Sequence, residues 1–429
     1  MPKNLYFVDS IYIPIQENGF STVTLLPTGN QEAGMGEAPL TLQNVSNQAM
    51  GMYNHVGQIR EGWYVYYGTK DGVVQFGYGN QNSYARERFR EFNTLRGLAT
   101  ANYISVGDER AVLPASFERE DGVKVTSYHI NVGHGNCSVI LIESGAFYQI
   151  WMVDCSVVDK TEKWKSYVDN LDDCLKEIRI RLEKTENEKL KIDRFFLTHL
   201  HHDHYNGLEY LIDHKYIDCG TLCYVNLYYH MASPSYLRIL RKLLNAKVKF
   251  IEPVAMNSNN TVRFLHPECR IYRSKATMVD VPEKKRIVGK PVNDSSAVVF
   301  LKLGGKTMVF SGDLEQNGFK AMSGEGTCSP YLFASDFYVI SHHGSINGHP
   351  DMDCCKKKRP IPNIMDCVIK RKNKVLLMGR SGAYSGIYSV QVENYWNGLG
   401  NLVYTEKDAT GKAVKFVELN WKNGTVVYH

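Results

Sequence analysis

Four histidines and one aspartate fall within six residues of this chain, in the segment FFLTHLHHDH that begins at Phe195. The apolar residues before them predict a buried strand, and His199 and His201 lie two residues apart at its end. Side chains two residues apart on an extended chain point to the same side, so we expect both imidazoles to face one metal ion. Asp203 and His204 follow at a turn and are expected to reach a second ion. The fold must then bring the remaining ligands from elsewhere in the chain.

Two later predicted strands end in residues of the same ligand types. TMVFSGDLE places Asp313 where its carboxylate can lie between two ions, and DFYVISHHGS ends with His342 and His343. The strand in WMVDCS ends near Asp154, which we expect to orient a ligand histidine through a hydrogen bond. A lone histidine is more often a core or surface residue than a ligand. Three separate clusters at strand ends reverse that preference and predict a metal centre.

The order of the predicted elements indicates two domains. From residue 125 to residue 429, predicted strands alternate with helices, which is typical of an α/β layered domain. One amphipathic helix is predicted over residues 164–182, and another begins with Ser233 as N-cap and Pro234 in the first turn. Residues 1–124 alternate short apolar and aromatic runs with Gly- and Asn-rich turns, which predicts a small strand-rich domain of unknown role.

Composition fits a soluble protein of the cytoplasm. The 429 residues are 43% apolar and 22% charged, and no apolar run approaches the ~18 residues of a membrane span, so we expect no membrane association. The N-terminus has no secretory signal pattern. The ten cysteines all follow residue 136, which favours free thiols over a disulfide framework. The net charge is +5, and its positive excess lies after residue 125, which favours an anionic partner.

These clusters, taken together, resemble the metallo-β-lactamase-fold hydrolases, whose H-x-H-x-D-H run is matched by the histidine segment. The closer likeness is to the soluble hydrolase domain of ComEC competence proteins and their relatives, including choline-phosphate esterases. NVGHGNCSVI is similar to that branch's D-V-G-Q-G-D-A opening, VRFLHP to its L-H-P strand, NDSSAVVFL to its N-N-x-S segment and ISHHGS to its H-H-G-S. NLVYTEKDATGKAVKF is similar to its terminal strand pair. The resemblance runs in order from about residue 124 to residue 429 and implies an αββα sandwich.

The resemblance implies a dinuclear centre that activates water. We expect two divalent ions, zinc with manganese as the substitute. One ion is assigned to His199 and His201, and Asp313 is assigned to the bridge. The other ion is assigned to the remaining ligand-type residues, which are Asp203, His204 and His343. Asp203 and His342 are expected to be essential for catalysis. His342 is expected to donate a proton or hydrogen bond to the leaving group, although the sequence allows His342 and His343 to exchange roles.

The chain departs from the family pattern at several positions. His134 and Asn136 stand where that branch has glutamine and aspartate, and Asp294 replaces the second asparagine of N-N-x-S. We expect His134, Asn293 and Ser295 to contact substrate. No histidine obviously supplies the extra ligand that many members of the wider family have. His266 is the nearest candidate, and His202, out of phase with its neighbours, is expected beside the site or at the surface.

Three functions remain open from the sequence. The first is a phosphodiesterase or nuclease acting on DNA, with the basic stretch after His343 as a further contact through Lys356, Lys357, Lys358 and Arg359. The second is a small-molecule hydrolase of phosphodiesters, lactones or thioesters, because one fold hosts many chemistries. The third is a metal-stabilised binding module that recruits a protein partner through residues 1–124.

Overall fold

The computed structural model describes most of the chain. The described residues are 4–12, 20–28, 39–46, 49–50, 59–101, 103–104, 122–185, 188–225, 231–251, 262–265, 292–293, 296–316, 318–319, 335–349, 374–383 and 387–429. The predicted contacts Ser295, Lys356, Lys357, Lys358 and Arg359, like Asp294 and His266, lie outside the described residues. Each helix in the described ranges is too short or too polar to cross a bilayer.

The described residues form a mixed α/β structure. Its strands are β1 Asn4–Tyr12, β2 Phe20–Pro27, β3 Leu40–Ser46, β4 Tyr64–Lys70, β5 Val73–Tyr78, β6 Tyr103–Ile104, β7 Val123–Ile130, β8 Cys137–Ser144, β9 Phe147–Cys155, β10 Val158–Asp159, β11 Lys165–Ser166, β12 Arg194–Leu197, β13 Leu222–Val225, β14 Lys249–Ile251, β15 Val262–Leu265, β16 Val298–Leu303, β17 Lys306–Phe310, β18 Phe337–Val339, β19 Lys374–Leu377, β20 Leu402–Tyr404, β21 Phe416–Asn420 and β22 Val426–Tyr428. Its α-helices are α1 Ser83–Ala101, α2 Val168–Arg181, α3 His202–Tyr205, α4 Leu208–Asp213, α5 Pro234–Asn245 and α6 Val390–Gly398.

Most of these strands belong to three sheets. Among the described residues, the N-terminal sheet has the strand order β3-β2-β1-β4-β5 and is antiparallel throughout. A larger sheet has the order β22-β21-β7-β8-β9-β12-β13-β14-β6, and a third has the order β15-β16-β17-β18-β19-β20. The larger sheet is antiparallel from β22 to β9 and parallel from β9 to β6.

Residues of β8 show how the second and third sheets are layered. Val139 and Leu141 face a core that includes Leu171 and Leu175 of α2, whereas Ile140 and Ile142 face a core shared with the third sheet. Successive strand residues point to opposite faces, so one strand contributes to both cores. On the far side of the third sheet, α6 packs Trp396 against that sheet. Helices therefore cover the outer faces of two sheets that share a core.

Local sequence signals explain the best-defined helix. Ser233 is the N-cap of α5 and accepts a hydrogen bond from the backbone N–H of Tyr236, and Pro234 occupies the first turn, which confirms the sequence prediction. The N-terminal residues also join the larger sheet, because β6 pairs in parallel with β14. Phe92 of α1 lies beside Tyr236 of α5, with ring centroids 6.4 Å apart and the rings tilted by 42°. The domain boundary at residue 124 stays a prediction.

Candidate metal centre

The histidine segment leaves its strand earlier than the sequence suggested. Strand β12 ends at Leu197, so His199 and His201 lie in the loop that leads to α3. His201 keeps an extended backbone, with φ −83° and ψ 147°, as the N-cap of that short helix. Nε2 of His199 and Nδ1 of His201 are 3.1 Å apart. The loop after β12, rather than the strand itself, therefore brings the two imidazoles together.

Two groups of ligand-type side chains converge at this loop, and in each the ligand atoms lie within 4.8 Å of one another. The first, called here the His199 group, consists of His199, His204 and Asp313. The second, called the Asp203 group, consists of His134, Asp203 and His343. All six residues are buried.

Asp313 faces both groups. Its Oδ1 lies 3.2 Å from Nε2 of His204, and its Oδ2 lies 3.7 Å from Nε2 of His199. The same Oδ2 is 3.5 Å from Nε2 of His343, which belongs to the Asp203 group. The carboxylate is thus placed where the sequence assigned a bridge.

The donor atoms fit divalent metal ions. Nε2 of His204, Oδ1 of Asp313 and Nε2 of His343 are buried and make no hydrogen bond to any described residue. Leaving such an atom unsatisfied costs about 1–3 kcal/mol, so the three atoms point to ligands bound at the His199 group and at the Asp203 group. Imidazole nitrogen and carboxylate oxygen are donors that zinc and manganese accept. The number and identity of the ions stay predictions.

Hydrogen bonds hold the histidine rings with Nε2 towards the two groups. Nδ1 of His204 donates to Oδ2 of Asp154 at 2.8 Å. The Asp154 carboxylate also accepts from the backbone N–H and the hydroxyl of Thr198, each at 2.8 Å. Nδ1 of His343 faces the carbonyl oxygen of Met378 at 3.3 Å. A partner at Nδ1 fixes the tautomer that leaves Nε2 able to bind a metal, which is the role predicted for Asp154.

Backbone conformation at the site requires special residues. Gly312 has φ +55°, and a Cβ at this position would lie 2.7 Å from the Thr198 side chain. His342 and His343 adopt φ values of 49° and 47° without being glycine. Non-glycine residues with positive φ cost free energy and persist where the surrounding structure holds them. The turn after β18 is therefore built to present these two side chains.

The candidate ligands strongly affect one another's ionisation. Burial alone would raise the pKa of Asp313, but the neighbouring His204 and His343 outweigh it and hold that pKa well below its ordinary value. Burial lowers the pKa of His134 to about 4, and the nearby His343 adds to this effect. At neutral pH the Asp313 carboxylate is therefore ionised and His134 is neutral, the states in which these two residues bind metal. Burial would lower the pKa of His204, but Asp313 and Asp154 outweigh it and hold that pKa well above its ordinary value, so a metal ion would displace a proton from this ring.

The structure groups the predicted ligands differently from the sequence assignment. His134, predicted to contact substrate, places Nε2 3.2 Å from Oδ2 of Asp203. His204, assigned with Asp203, groups instead with His199. His201 belongs to neither group, although its Nδ1 faces His199. Its Nε2 lies 3.5 Å from Oε1 of Glu61, a residue from the N-terminal part of the chain.

His342 lies in a separate polar contact beside these groups. Its Nδ1 is 3.3 Å from Oε1 of Glu315, and its Nε2 is 3.3 Å from the amide nitrogen of Asn293. The ring of Tyr12 meets the His342 ring edge-on with centroids 5.5 Å apart. His342 and Asn293, both predicted site residues, are therefore adjacent. Sequence reasoning missed Glu315, although it lies only two residues after Asp313.

Two further residues show what lies around the centre. His202 packs edge-on against Trp164, with centroids 5.2 Å apart, and so lies beside the site rather than in either ligand group. Nζ of Lys160 lies 3.0 Å from Oδ1 of Asp203. No motif in the sequence marks Lys160, because its contact with Asp203 arises from the fold alone.

Comparisons with known proteins give partial likenesses. Residues 169–327, somewhat more than a third of the chain, match the model of the family described as anti-Pycsar protein Apyc1. A comparison with curated proteins gives no match. One similar solved structure is described as a new diphosphatase from the PhnP family. It shares 12% identity over 69% of this chain and 97% of that chain, with a TM-score of 0.32, a likeness that does not by itself define a fold.

Proposed function

We propose that this chain is a metal-dependent phosphodiesterase with a metallo-β-lactamase-like αββα sandwich. The observation that carries the proposal is the pair of buried ligand groups joined by Asp313. His199, His204 and Asp313 would hold one divalent ion, and His134, Asp203 and His343 would hold the other. When bound, such ions supply a water nucleophile at neutral pH and positive charge against a phosphoryl oxygen.

Residues of the chain supply the remaining functions. Hydrolysis joins the oxygen of water to phosphorus and breaks a P–O ester bond, and the departing ester oxygen takes a proton. We assign that proton or hydrogen bond to Nε2 of His342, which the Asn293 amide must leave when substrate binds, while the Glu315 carboxylate stays beside Nδ1. The Asn293 amide, which lies beside His342, is assigned a polar contact with the substrate.

A small phosphodiester is the substrate class that we favour. The six candidate ligands, His342 and Asn293 are each at most 5% exposed, so a compact substrate reaches them more readily than a duplex does. The match of residues 169–327 to the anti-Pycsar model supports a cyclic mononucleotide as the first substrate to test. DNA is the second candidate, supported by the basic residues after His343 in the sequence. Of these, Arg380 already pairs with Asp159 at 2.9 Å.

The test is a substrate panel with purified protein loaded with zinc or manganese. Cyclic purine and pyrimidine mononucleotides, a bis-aryl phosphodiester, and linear and circular DNA are compared, with Asp313→Asn as the inactive reference. We expect cyclic mononucleotides to be hydrolysed to monophosphates and DNA to be cut slowly or not at all. Faster cleavage of DNA would favour the nuclease. No cleavage of any phosphodiester by metal-loaded protein would refute the proposal and leave lactones, thioesters or a binding module.

A further inference from the structure

We propose that Glu61 and Asp9, from the N-terminal part of the chain, are positioning residues of the metal centre, Glu61 for His201 and Asp9 for the loop that carries Asp203. The proposal rests on the metal centre of the proposed function, but it concerns metal binding and not the substrate. It gives the N-terminal sheet a direct role in the site.

Glu61 joins three separate segments through one carboxylate. Oε1 accepts the backbone N–H of Ile11 at 2.9 Å, and Oε2 accepts the backbone N–H of Val292 at 2.8 Å. Oε1 also lies 3.5 Å from Nε2 of His201. The Glu61 side chain is only 8% exposed. Two backbone bonds hold this buried carboxylate in place, so its third contact has a fixed direction.

That third contact favours one tautomer of His201, and with it the nitrogen that can bind a metal. A neutral imidazole carries one N–H, and a carboxylate at Nε2 draws the proton to that nitrogen. Nδ1 is then left with a lone pair, and it is this atom that faces Nε2 of His199 at 3.1 Å. A carboxylate on the far nitrogen of a ligand histidine also strengthens its binding to the ion. Glu61 thereby prepares His201 to join the His199 group.

Asp9 acts on the other side of the same loop. Its two carboxylate oxygens lie 3.2 Å and 3.3 Å from the backbone nitrogen of His202, and Oδ2 is 3.5 Å from Nζ of Lys160. Lys160 in turn contacts Oδ1 of Asp203 at 3.0 Å, while Oδ2 of Asp203 faces the Nε2 atoms of His134 and His343. Asp9 thus fixes the start of α3 and shares the charge of Lys160, so that one oxygen of Asp203 remains directed at the ligand group.

The experiment measures metal binding by the full-length protein. Zn²⁺ affinity is measured by competition with a chelating dye, Co²⁺ absorption reports ligand geometry, and Tm is measured with EDTA and with Zn²⁺. The variants are Glu61→Gln and Asp9→Asn, which keep side-chain shape and remove charge. The matched control is Glu87→Gln, an exposed glutamate on α1 whose side chain is 68% exposed.

For Glu61→Gln we expect Zn²⁺ affinity to fall by about 10- to 100-fold, with a changed Co²⁺ spectrum. Asp9→Asn is expected near the lower end of that range. Because metal stabilises only the folded state, the Zn²⁺-induced rise in Tm should shrink in both variants, whereas a merely structural role would lower both melting temperatures equally. Glu87→Gln should match wild type in every measurement.

The inference would be overturned if both variants bind Zn²⁺ within twofold of wild type and if their Tm changes equally with and without metal. If Glu61→Gln does not fold, Asp9→Asn decides by the same criteria. The outcome is separate from that of the substrate panel. A wild-type protein whose metal affinity depends on Glu61 and Asp9 but which cleaves no phosphodiester would refute the proposed function and leave this inference standing.

Discussion

Replacing Asp154 by asparagine should damage the metal centre far more than the fold. In the wild-type protein the carboxylate accepts three hydrogen bonds, one from Nδ1 of His204 and two from Thr198. An asparagine oxygen can still accept from Thr198, but its NH₂ group must face His204. His204 then has to accept at Nδ1 and carry its proton on Nε2, the atom directed at Asp313. That tautomer cannot bind a metal.

The size of the effect follows from the loss of the carboxylate that orients a ligand histidine. Loss of such a partner lowers metal affinity by about 10- to 100-fold, equivalent to about 1.4–2.7 kcal/mol of binding free energy. Asp154 has φ +51°, a conformation that asparagine tolerates well, so the free energy of unfolding in EDTA should change little for Asp154→Asn. Asp154→Ala should instead lower it by about 3 kcal/mol or more, because three buried donors lose their acceptor and alanine at positive φ costs about 1–2 kcal/mol.

The assay pairs Zn²⁺ competition with urea unfolding in EDTA for both variants. Asp173→Asn is the matched control, since Asp173 is 43% exposed and pairs only with Lys415 among the residues described. Zinc affinity within twofold of wild type for Asp154→Asn would refute the tautomer argument. Equal destabilisation by asparagine and alanine would show that the loss lies in the fold and not in the metal centre.

Four further predictions follow from the site and the sequence. Purified protein should carry close to two equivalents of transition metal. The Asp313→Asn variant should lose at least one equivalent together with all hydrolysis. Full metal content in this variant would contradict the role of Asp313 as a carboxylate shared by the two groups. His202→Ala should retain metal because its ring packs against tryptophan, whereas His201→Ala should lose metal, and equal losses on elemental analysis would show that these positions are misassigned. Burial lowers the pKa of His129 to about 3, so the folded protein keeps this residue neutral. The unfolded chain binds a proton at His129 below pH 6.5, so the free energy of unfolding falls as pH falls from 6.5 towards 3. Between pH 6.5 and pH 5 this amounts to about 2 kcal/mol, which His129→Gln should remove from the pH dependence of urea unfolding in EDTA; an unchanged slope would count against a neutral buried His129. Changing residues 356–359 to serine should weaken DNA binding and flatten its log–log salt dependence by about one unit per lost phosphate contact. Turnover of a bis-aryl phosphodiester should stay unchanged. Wild-type DNA affinity and salt slope would show that these residues have no role in DNA binding.

Sequence alone was sufficient to find the ligand types and several of the elements that carry them. His199, His201, Asp203 and His204 are close in the chain, so one short loop brings them together whatever the rest of the fold does. The N-cap of α5 could likewise be predicted, because Ser233 and Pro234 act on the backbone of the next turn. Signals of this kind are local, and the physical interactions behind them act within a few residues.

Tertiary structure decided how the ligands are shared and what surrounds them. His134 joins Asp203 because the turn between β7 and β8 passes close to the histidine loop, where a Cβ at Gly135 would lie 2.8 Å from the carbonyl oxygen of Asp203. Glu61 meets His201 only because the N-terminal sheet packs beside that loop. A glutamate before a strand has no periodicity or spacing that marks such a contact. The choice between the two nitrogens of His201 depends on a charge distant in sequence, and only the packed fold brings that charge within reach.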